Sequence, residues 1–253
     1  MVQITDLTAA DRLDGYPQPG YRIDGVVSAR QGSPDGFQLW LVGAELDDGA
    51  SIQWVGEHGE EAAYVLTGRV TVDGRDCPER GAVIVEQGAR PVLRAIGGPA
   101  RILHFGSSPE RAAGANGADR GASVHVVGPR GTYARVEEGR DSHYYADSTC
   151  ATCDVTLLYT SRNEQYESVL HSHSADELIH LLWGEMRVGR HVLGPGSTLA
   201  IRADAPYRFR SGPDGFGFLN FRSGPSTMAI GRAKELLVEG GAANGFEPVM
   251  DLL

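Results

Sequence analysis

One property restricts this chain more than any other: it repeats itself. Glu61-Ala-Ala-Tyr-Val-Leu-Thr-Gly68 recurs as Glu177-Leu-Ile-His-Leu-Leu-Trp-Gly184, with the same step from Glu to Gly. Arg69-Val-Thr-Val72 recurs as Glu185-Met-Arg-Val188, and Gly81-Ala-Val-Ile-Val85 as Gly196-Ser-Thr-Leu-Ala200. Ile102-Leu-His-Phe105 recurs as Phe218-Leu-Asn-Phe221. The blocks keep one order and an offset of 115 or 116 positions (177 − 61, 185 − 69, 196 − 81, 218 − 102). A chain made of two copies must fold as two similar units. Its 253 residues suit two small domains. The join is expected in Ser107–Gly121, a Gly-, Ala- and Ser-rich stretch containing Asn116-Gly117. That places an N-terminal domain at 1–110 and a C-terminal one at 122–253.

Each copy reads as β. Glycine is abundant, 34 of 253 residues, and Asp-Gly pairs stand at 14–15, 24–25, 35–36, 48–49, 73–74 and 214–215. Such pairs adopt the positive φ of tight hairpin turns. Between them lie short apolar or alternating runs such as Phe37–Val42, Val155–Tyr159 and Phe216–Phe221. Only Met228–Val238, ahead of Gly240-Gly241, carries helical spacing with a glycine stop, so a short C-terminal helix is expected there. The net charge of −10 disfavours nucleic acid and anionic membrane as partners. No apolar run reaches the roughly 18 residues of a bilayer span, and the N-terminus lacks a signal-peptide pattern. A soluble, cytoplasmic protein is expected.

Chemistry concentrates in His171-Ser-His173-Ser-Ala-Asp-Glu177. On a strand, residues 171 and 173 share a face. If 174–176 turn tightly, Glu177 opens the next strand on the same side. On a helix, two positions apart means about 200° apart, and the imidazoles could not converge. Two histidines and one carboxylate with open positions suit Fe(II), Mn(II), Ni(II), Co(II) or Zn(II).

The pattern His-x-His-x3-Glu-x6-Gly at 171, 173, 177 and 184 resembles the first metal-binding motif of the cupin superfamily. That family's second motif, Gly-x5-Pro-x-Gly-x2-His, maps onto Gly196 through Tyr207. Since the first copy follows the same layout, the chain resembles a bicupin. The resemblance implies an all-β fold of two tandem jelly-roll barrels and one divalent transition metal per chain, Fe(II) favoured, held by His171, His173 and Glu177. Two departures stand out. Tyr207 occupies the place of the usual fourth ligand, a His, and Arg202 and Asp204 replace the usual Pro and Gly. Tyr207 can be a weak ligand, a hydrogen-bond donor to substrate, a general acid, or core packing. In the first copy the counterparts of the ligands are Val55, Glu57 and Glu61, a poor metal set. His58 lies one residue out of register and should point away, and His180 has the opposite parity to Glu177 and should face away from the site, towards the other sheet or the other copy.

Other candidates carry less. Cys150-Ala-Thr-Cys153 has no second cysteine pair to complete a zinc site and reads as reduced thiols. Either His143–Tyr145 or Arg162–Tyr166 should line the pocket mouth, while Arg208 and Arg210 read as outward charges. Three ligands leave positions for a small chelating substrate. Oxygen activation by Fe(II), as in cupin dioxygenases, is the leading expectation. Non-redox isomerase, lyase or decarboxylase chemistry is the alternative, and non-catalytic binding of a small ligand a third. Exposed sheet edges and the resemblance together imply a homodimer.

Overall fold

The computed structural model describes residues 2–13, 15–107, 122–231 and 235–253. Most of the expected join, 108–121, lies outside the described residues. The described chain is built of strands, and no helix occurs among these residues.

The N-terminal copy folds into two antiparallel sheets. One runs in the order Tyr21–Asp24, Ser51–Trp54, Val92–Ala95, Arg69–Val72, Arg75–Pro78. The other contains Ala82–Val85, Glu61–Thr67, Ala100–Ser107, Leu39–Leu46 and Val27–Gln31. In the C-terminal copy a large sheet holds Ser197–Ile201, Glu177–Val188, Arg210–Ser223, Val155–Arg162, Arg140–Ala146 and Tyr133–Glu137. It is completed by a three-stranded sheet of His171–His173, Thr227–Ile230 and Glu235–Val238.

The two copies are laced together by exchanged edges. The first strand, Val2–Asp6, pairs with Ser197–Ile201 of the second copy. Val124–Val127, just past the join, pairs with Ala82–Val85 of the first. Each loan covers an edge that would otherwise expose unpaired backbone groups.

Side-chain parity explains why several strands read as continuous apolar runs. In Ala82–Val85, Ala82 and Ile84 face the second copy, whereas Val83 and Val85 face the interior of their own barrel. The seam between copies is thus a core in its own right, formed by Leu39, Leu41, Leu103 and Phe105 on one side and Leu157, Leu178 and Leu219 on the other. Phe105 and Phe221, which occupy matching places in the repeat, stack across it at 5.4 Å and 22°. Gly184, the last residue of the first motif, sits at φ 77°, where a Cβ would strike the Gly215 carbonyl and Phe216. Gly68 makes the same close approach to Pro99 and Ala100 at φ 81°. The Glu-to-Gly spacing in both copies therefore marks one strand pinned against its neighbour.

The expected C-terminal helix is not formed. Thr227–Ile230 and Glu235–Val238 make an antiparallel hairpin, with Met228 opposite Leu237 and Ile230 opposite Glu235. The reason is tertiary. Thr227–Ile230 also pairs with the short strand His171–His173, whose backbone needs partners on that side. Helical spacing over three turns is a weak preference beside that demand.

Candidate metal centre

His171 and His173 lie on a three-residue strand held on both flanks. Thr227–Ile230 pairs along one edge, and a bridge to Tyr207 closes the other, with His171 N–H donating to Tyr207 O at 3.0 Å and Tyr207 N–H to His171 O at 2.9 Å. Residues directly opposite on paired strands share a face, so Tyr207 turns to the same side as His171, ring centroids 4.4 Å apart. The turn that delivers it has Asp204 at φ 60°. Asp204 therefore adopts the left-handed conformation for which the related motif uses glycine. The two imidazoles stand 5.1 Å apart at 84°, and Glu177 opens the next strand, wholly buried.

Neighbouring groups fix the tautomers of both histidines. His171 Nδ1 is 2.8 Å from the Val169 carbonyl, which can only accept. His173 Nδ1 is 2.9 Å from Glu239 Oε2. With both Nδ1 atoms protonated, both Nε2 atoms carry lone pairs, the arrangement found in carboxylate–histidine–metal sets. Burial pulls the His171 pKa down, opposed by the Val169 carbonyl and reinforced by His173, so it stays a neutral donor. Burial pushes Glu177 up, but His173 and Arg222 outweigh it and hold the carboxyl below its usual range. Glu177 Oε2 accepts from Asn220 Nδ2 at 2.7 Å and from Arg222 at 3.1 Å, while buried Glu177 Oε1 has no hydrogen-bond partner. An orphaned buried carboxylate oxygen is costly unless something binds it. Two imidazole lone pairs and this oxygen are of the types a divalent transition metal takes, although the three donor atoms do not all lie within 4.8 Å of one another.

Arg222 is the feature that sequence reasoning missed. Its guanidinium bonds Glu177 Oε2 and, at 2.9 Å, Glu239 Oε1, with one nitrogen 3.3 Å from His173 Nε2. It thus borders the space between His173 and Glu177 and keeps the donor atoms from closing into one tight group. Burial lowers its pKa, but Glu239 and Glu177 more than offset this, and the cation is retained. Glu239, pulled down to about 2 against burial by Arg222 and His173, escaped notice because the helix expectation ended just before it. Asn220 was visible. It aligns with His104 in the repeat, and both bond the equivalent glutamate.

Tyr207 is buried beside Glu177, and burial together with that carboxylate raises the phenol well above its ordinary pKa. It is a neutral donor. Above these groups opens a cavity of about 320 Å³ whose wall includes Arg135, Arg140 and Arg162 with Tyr144, Tyr166 and Phe246. Burial and the charges of Arg162 and Arg135 lower the Arg140 pKa. Glu137 pairs with both Arg135, at 3.2 Å, and Arg140, at 3.8 Å, which leaves three cations against one carboxylate in this cluster, a balance that attracts an anion. Arg162 and Tyr166 therefore line the mouth; of the other candidate stretch, Tyr144 does and His143 does not. Arg208 and Arg210 stay exposed and pair with Glu167.

In the first copy a cavity of about 340 Å³ still reaches Glu57, His58 and Glu61, but the equivalent glutamate is taken up by protein groups. Val55 and Glu57 are exposed. Glu61 is filled by protein groups: Tyr21 Oη donates to Oε1 at 2.6 Å, and Trp54 Nε1 and His104 Nε2 contact Oε2 at 2.5 and 2.9 Å. Tyr16 Oη meets His104 Nδ1 at 2.5 Å. His58 does not point away as alternation implied. It turns inward, 3.6 Å from Glu61, because the Gly59 and Ala89 carbonyls take its two nitrogens. His180 does face the other copy, bonded to Thr198 Oγ1 at 2.9 Å and lining a cavity with Leu7, Gly43 and Leu103.

No protein-family model and no curated protein sequence matches the chain. Solved structures do match in fold. An oxalate decarboxylase from Lactobacillus farciminis superposes with a TM-score of 0.65 at 13% identity, over 87% of this chain and 86% of that one. The Bacillus subtilis oxalate decarboxylase at pH 4.6 gives 0.62 at 16% identity, over 87% and 76%. A further structure of the Bacillus subtilis enzyme, described with Mn(II) centres, gives 0.62 at 16% identity, over 87% and 77%. The fold is that of a bicupin, as the repeat and its motif implied.

Proposed function

We propose that the C-terminal barrel is a metal-dependent, non-redox catalytic site acting on a small carboxylate. The observation that carries this reading is the placement of His171 and His173 in the wall of a cavity that Arg135, Arg140 and Arg162 also line, with Glu177 buried behind them, 3.9 Å from His173 Nε2 and with one oxygen unpartnered. A divalent metal held by these three residues would polarise a carbonyl or carboxylate oxygen and stabilise developing negative charge. The arginines draw in an anion and turn its charged end towards the histidines. The Tyr207 hydroxyl, held neutral, donates a hydrogen bond or a proton to an oxygen that gains charge. Arg222 stays engaged with Glu177 and Glu239 and keeps both carboxylates ionised. Phe209, Phe218 and Ile179 line the cavity and limit water.

The solved neighbours favour this lyase-type alternative over the dioxygenase expectation, for they are oxalate decarboxylases. They support the reading through the fold only. The carboxylate class rests on the arginines, and Mn(II) is the first metal to supply because one neighbour is described with it. Protein loaded with Mn(II), and a His171→Ala, His173→Ala variant, would be incubated with small 2-oxo and dicarboxylic acids under argon and under air, with products read by NMR. Conversion under argon that vanishes in the variant supports the proposal. Conversion that requires oxygen overturns it in favour of the dioxygenase, and saturable binding without product overturns it in favour of a binding protein.

A further inference from the structure

The CxxC pair finds its missing partner far away in sequence. Cys150 and Cys153 lie in the loop between Arg140–Ala146 and Val155–Arg162, and His125 lies on the strand Val124–Val127 added to the first copy's sheet. The ligand atoms of His125, Cys150 and Cys153 all fall within 4.8 Å of one another. In the structure the two sulfurs are joined as a disulfide, with Cα atoms 5.6 Å apart.

We propose that, when this pair is reduced, His125, Cys150 and Cys153 form a second metal site, selective for a thiophilic ion such as Zn(II), at the seam between the two barrels. The imidazole is already set up for it. His125 Nε2 lies 2.7 Å from Glu86 Oε1. Glu86 is buried and also takes the Thr152 hydroxyl and the Ser123 N–H at 3.0 Å. Glu86 accepts the hydrogen bond from Nε2–H and leaves Nδ1 as the lone pair, which is how metal-binding histidines are oriented by an outer carboxylate. The loop is equally prepared. Cys153 N–H donates to Cys150 Sγ at 3.2 Å, holding the two ends of the turn together. Asp147 pins the turn by accepting Thr149 N–H at 2.9 Å and Thr149 Oγ1 at 2.6 Å, with its carbonyl taking Cys150 N–H at 3.1 Å.

Two thiolates and an imidazole are a three-ligand zinc set with one position free. His125, Cys150 and Cys153 themselves line a cavity of about 300 Å³, together with Ile84, Val127, Tyr133, Tyr145, Met250 and Leu252. A small thiol reductant opens the disulfide: two thiols of the reductant become one disulfide, and Cys150 and Cys153 each gain a proton. Binding then expels those protons as the two sulfur–metal bonds form. Tetrahedral zinc–sulfur bonds of about 2.3 Å place the sulfurs about 3.7 Å apart, within reach of the loop by side-chain rotation. A small-molecule disulfide reverses this: it takes two electrons from the two thiolates, leaves as two thiols after gaining two protons, and releases the ion as the Cys150–Cys153 disulfide re-forms, so the site is gated by thiol redox state.

The test uses full-length His171→Ala, His173→Ala protein, so that the first site cannot contribute. Reduced and oxidised samples would be equilibrated with Zn(II) and, separately, Co(II). The expected result is close to one zinc per chain and a thiolate-to-cobalt charge-transfer band in the reduced sample only. Both should vanish in Cys150→Ser, Cys153→Ser protein, and Glu86→Gln should weaken zinc about 10–100-fold. If the His171/His173 variant fails to fold, the cobalt band is read in otherwise wild-type protein with and without the cysteine changes. Absence of the band in reduced protein, or its persistence after cysteine replacement, overturns the proposal. Manganese binding by the Cys150→Ser, Cys153→Ser protein reports the first site independently.

Discussion

Arg222→Met takes away the cation that, among the described residues, bridges the buried Glu177 and the largely buried Glu239. Arg222 is 4% exposed and Glu177 fully buried, with contacts of 3.1 Å to Glu177 and 2.9 Å to Glu239. Removing one partner of a buried ion pair costs about 3–5 kcal/mol, because a charge is left without its counter-charge. At about 2.1 cal/mol/K per residue, a chain of 253 residues unfolds with an entropy near 0.5 kcal/mol/K, so the loss corresponds to about 6–9 °C in Tm. The same substitution strips the cation from beside His173 Nε2 and Glu177, and a divalent metal should then bind more tightly. Saturating Mn(II) or Zn(II) is therefore expected to recover most of the lost stability, and to raise the variant's Tm more than that of the parent. Differential scanning calorimetry with and without metal at pH 7 reads both effects. A metal-free variant within about 2 °C of the parent would refute the counter-charge argument. An equal loss with and without metal would refute the claim that the guanidinium and a metal share this site.

Elemental analysis should find close to one divalent metal per chain after loading with Mn(II), and none of it in the His171→Ala, His173→Ala protein. Tyr207→Phe is expected to keep metal affinity and fold while turnover of the carboxylate falls about 10²-fold; unchanged turnover would assign Tyr207 to packing. His180 is held by burial at about 4, with Asp6 opposing, against 6.5 unfolded. A depressed base stabilises the fold above pH 6.5, and this is lost as pH falls towards 4, about 2 kcal/mol of it between pH 7 and 5. Urea unfolding of His180→Gln should show that much less pH dependence than the parent over this interval. The outer edges of Tyr21–Asp24 and Arg75–Pro78 have no hydrogen-bonded strand beside them among the described residues, which motivates a homodimer; sedimentation as a 27.0 kDa monomer at micromolar concentration would refute it.

The amino-acid sequence by itself settled what depends on short spacings. Two copies of a β-unit follow from repeated blocks, and the shared face of His171 and His173 follows from strand alternation, a rule with a period of two residues. The positive φ of Asp204 was not legible, since the sequence showed there only a departure from the motif's glycine, and the pinning of Gly184 comes from the neighbouring Gly215 and Phe216. What else escaped was long-range. Whether Met228–Val238 forms a helix or a hairpin depended on an unpaired strand edge some 55 residues away in sequence, at His171–His173 (228 − 173). Arg222 and Glu239 reach the site from strands and loops with no shared pattern, and their roles exist only as mutual neutralisation in a buried space. His125 joins Cys150 and Cys153 only because Val124–Val127 is lent to the first barrel. Periodicity and spacing record which way a side chain points along its own strand; which charges meet is decided by how the sheets pack, because burial makes an unpaired charge intolerable and so selects the partners.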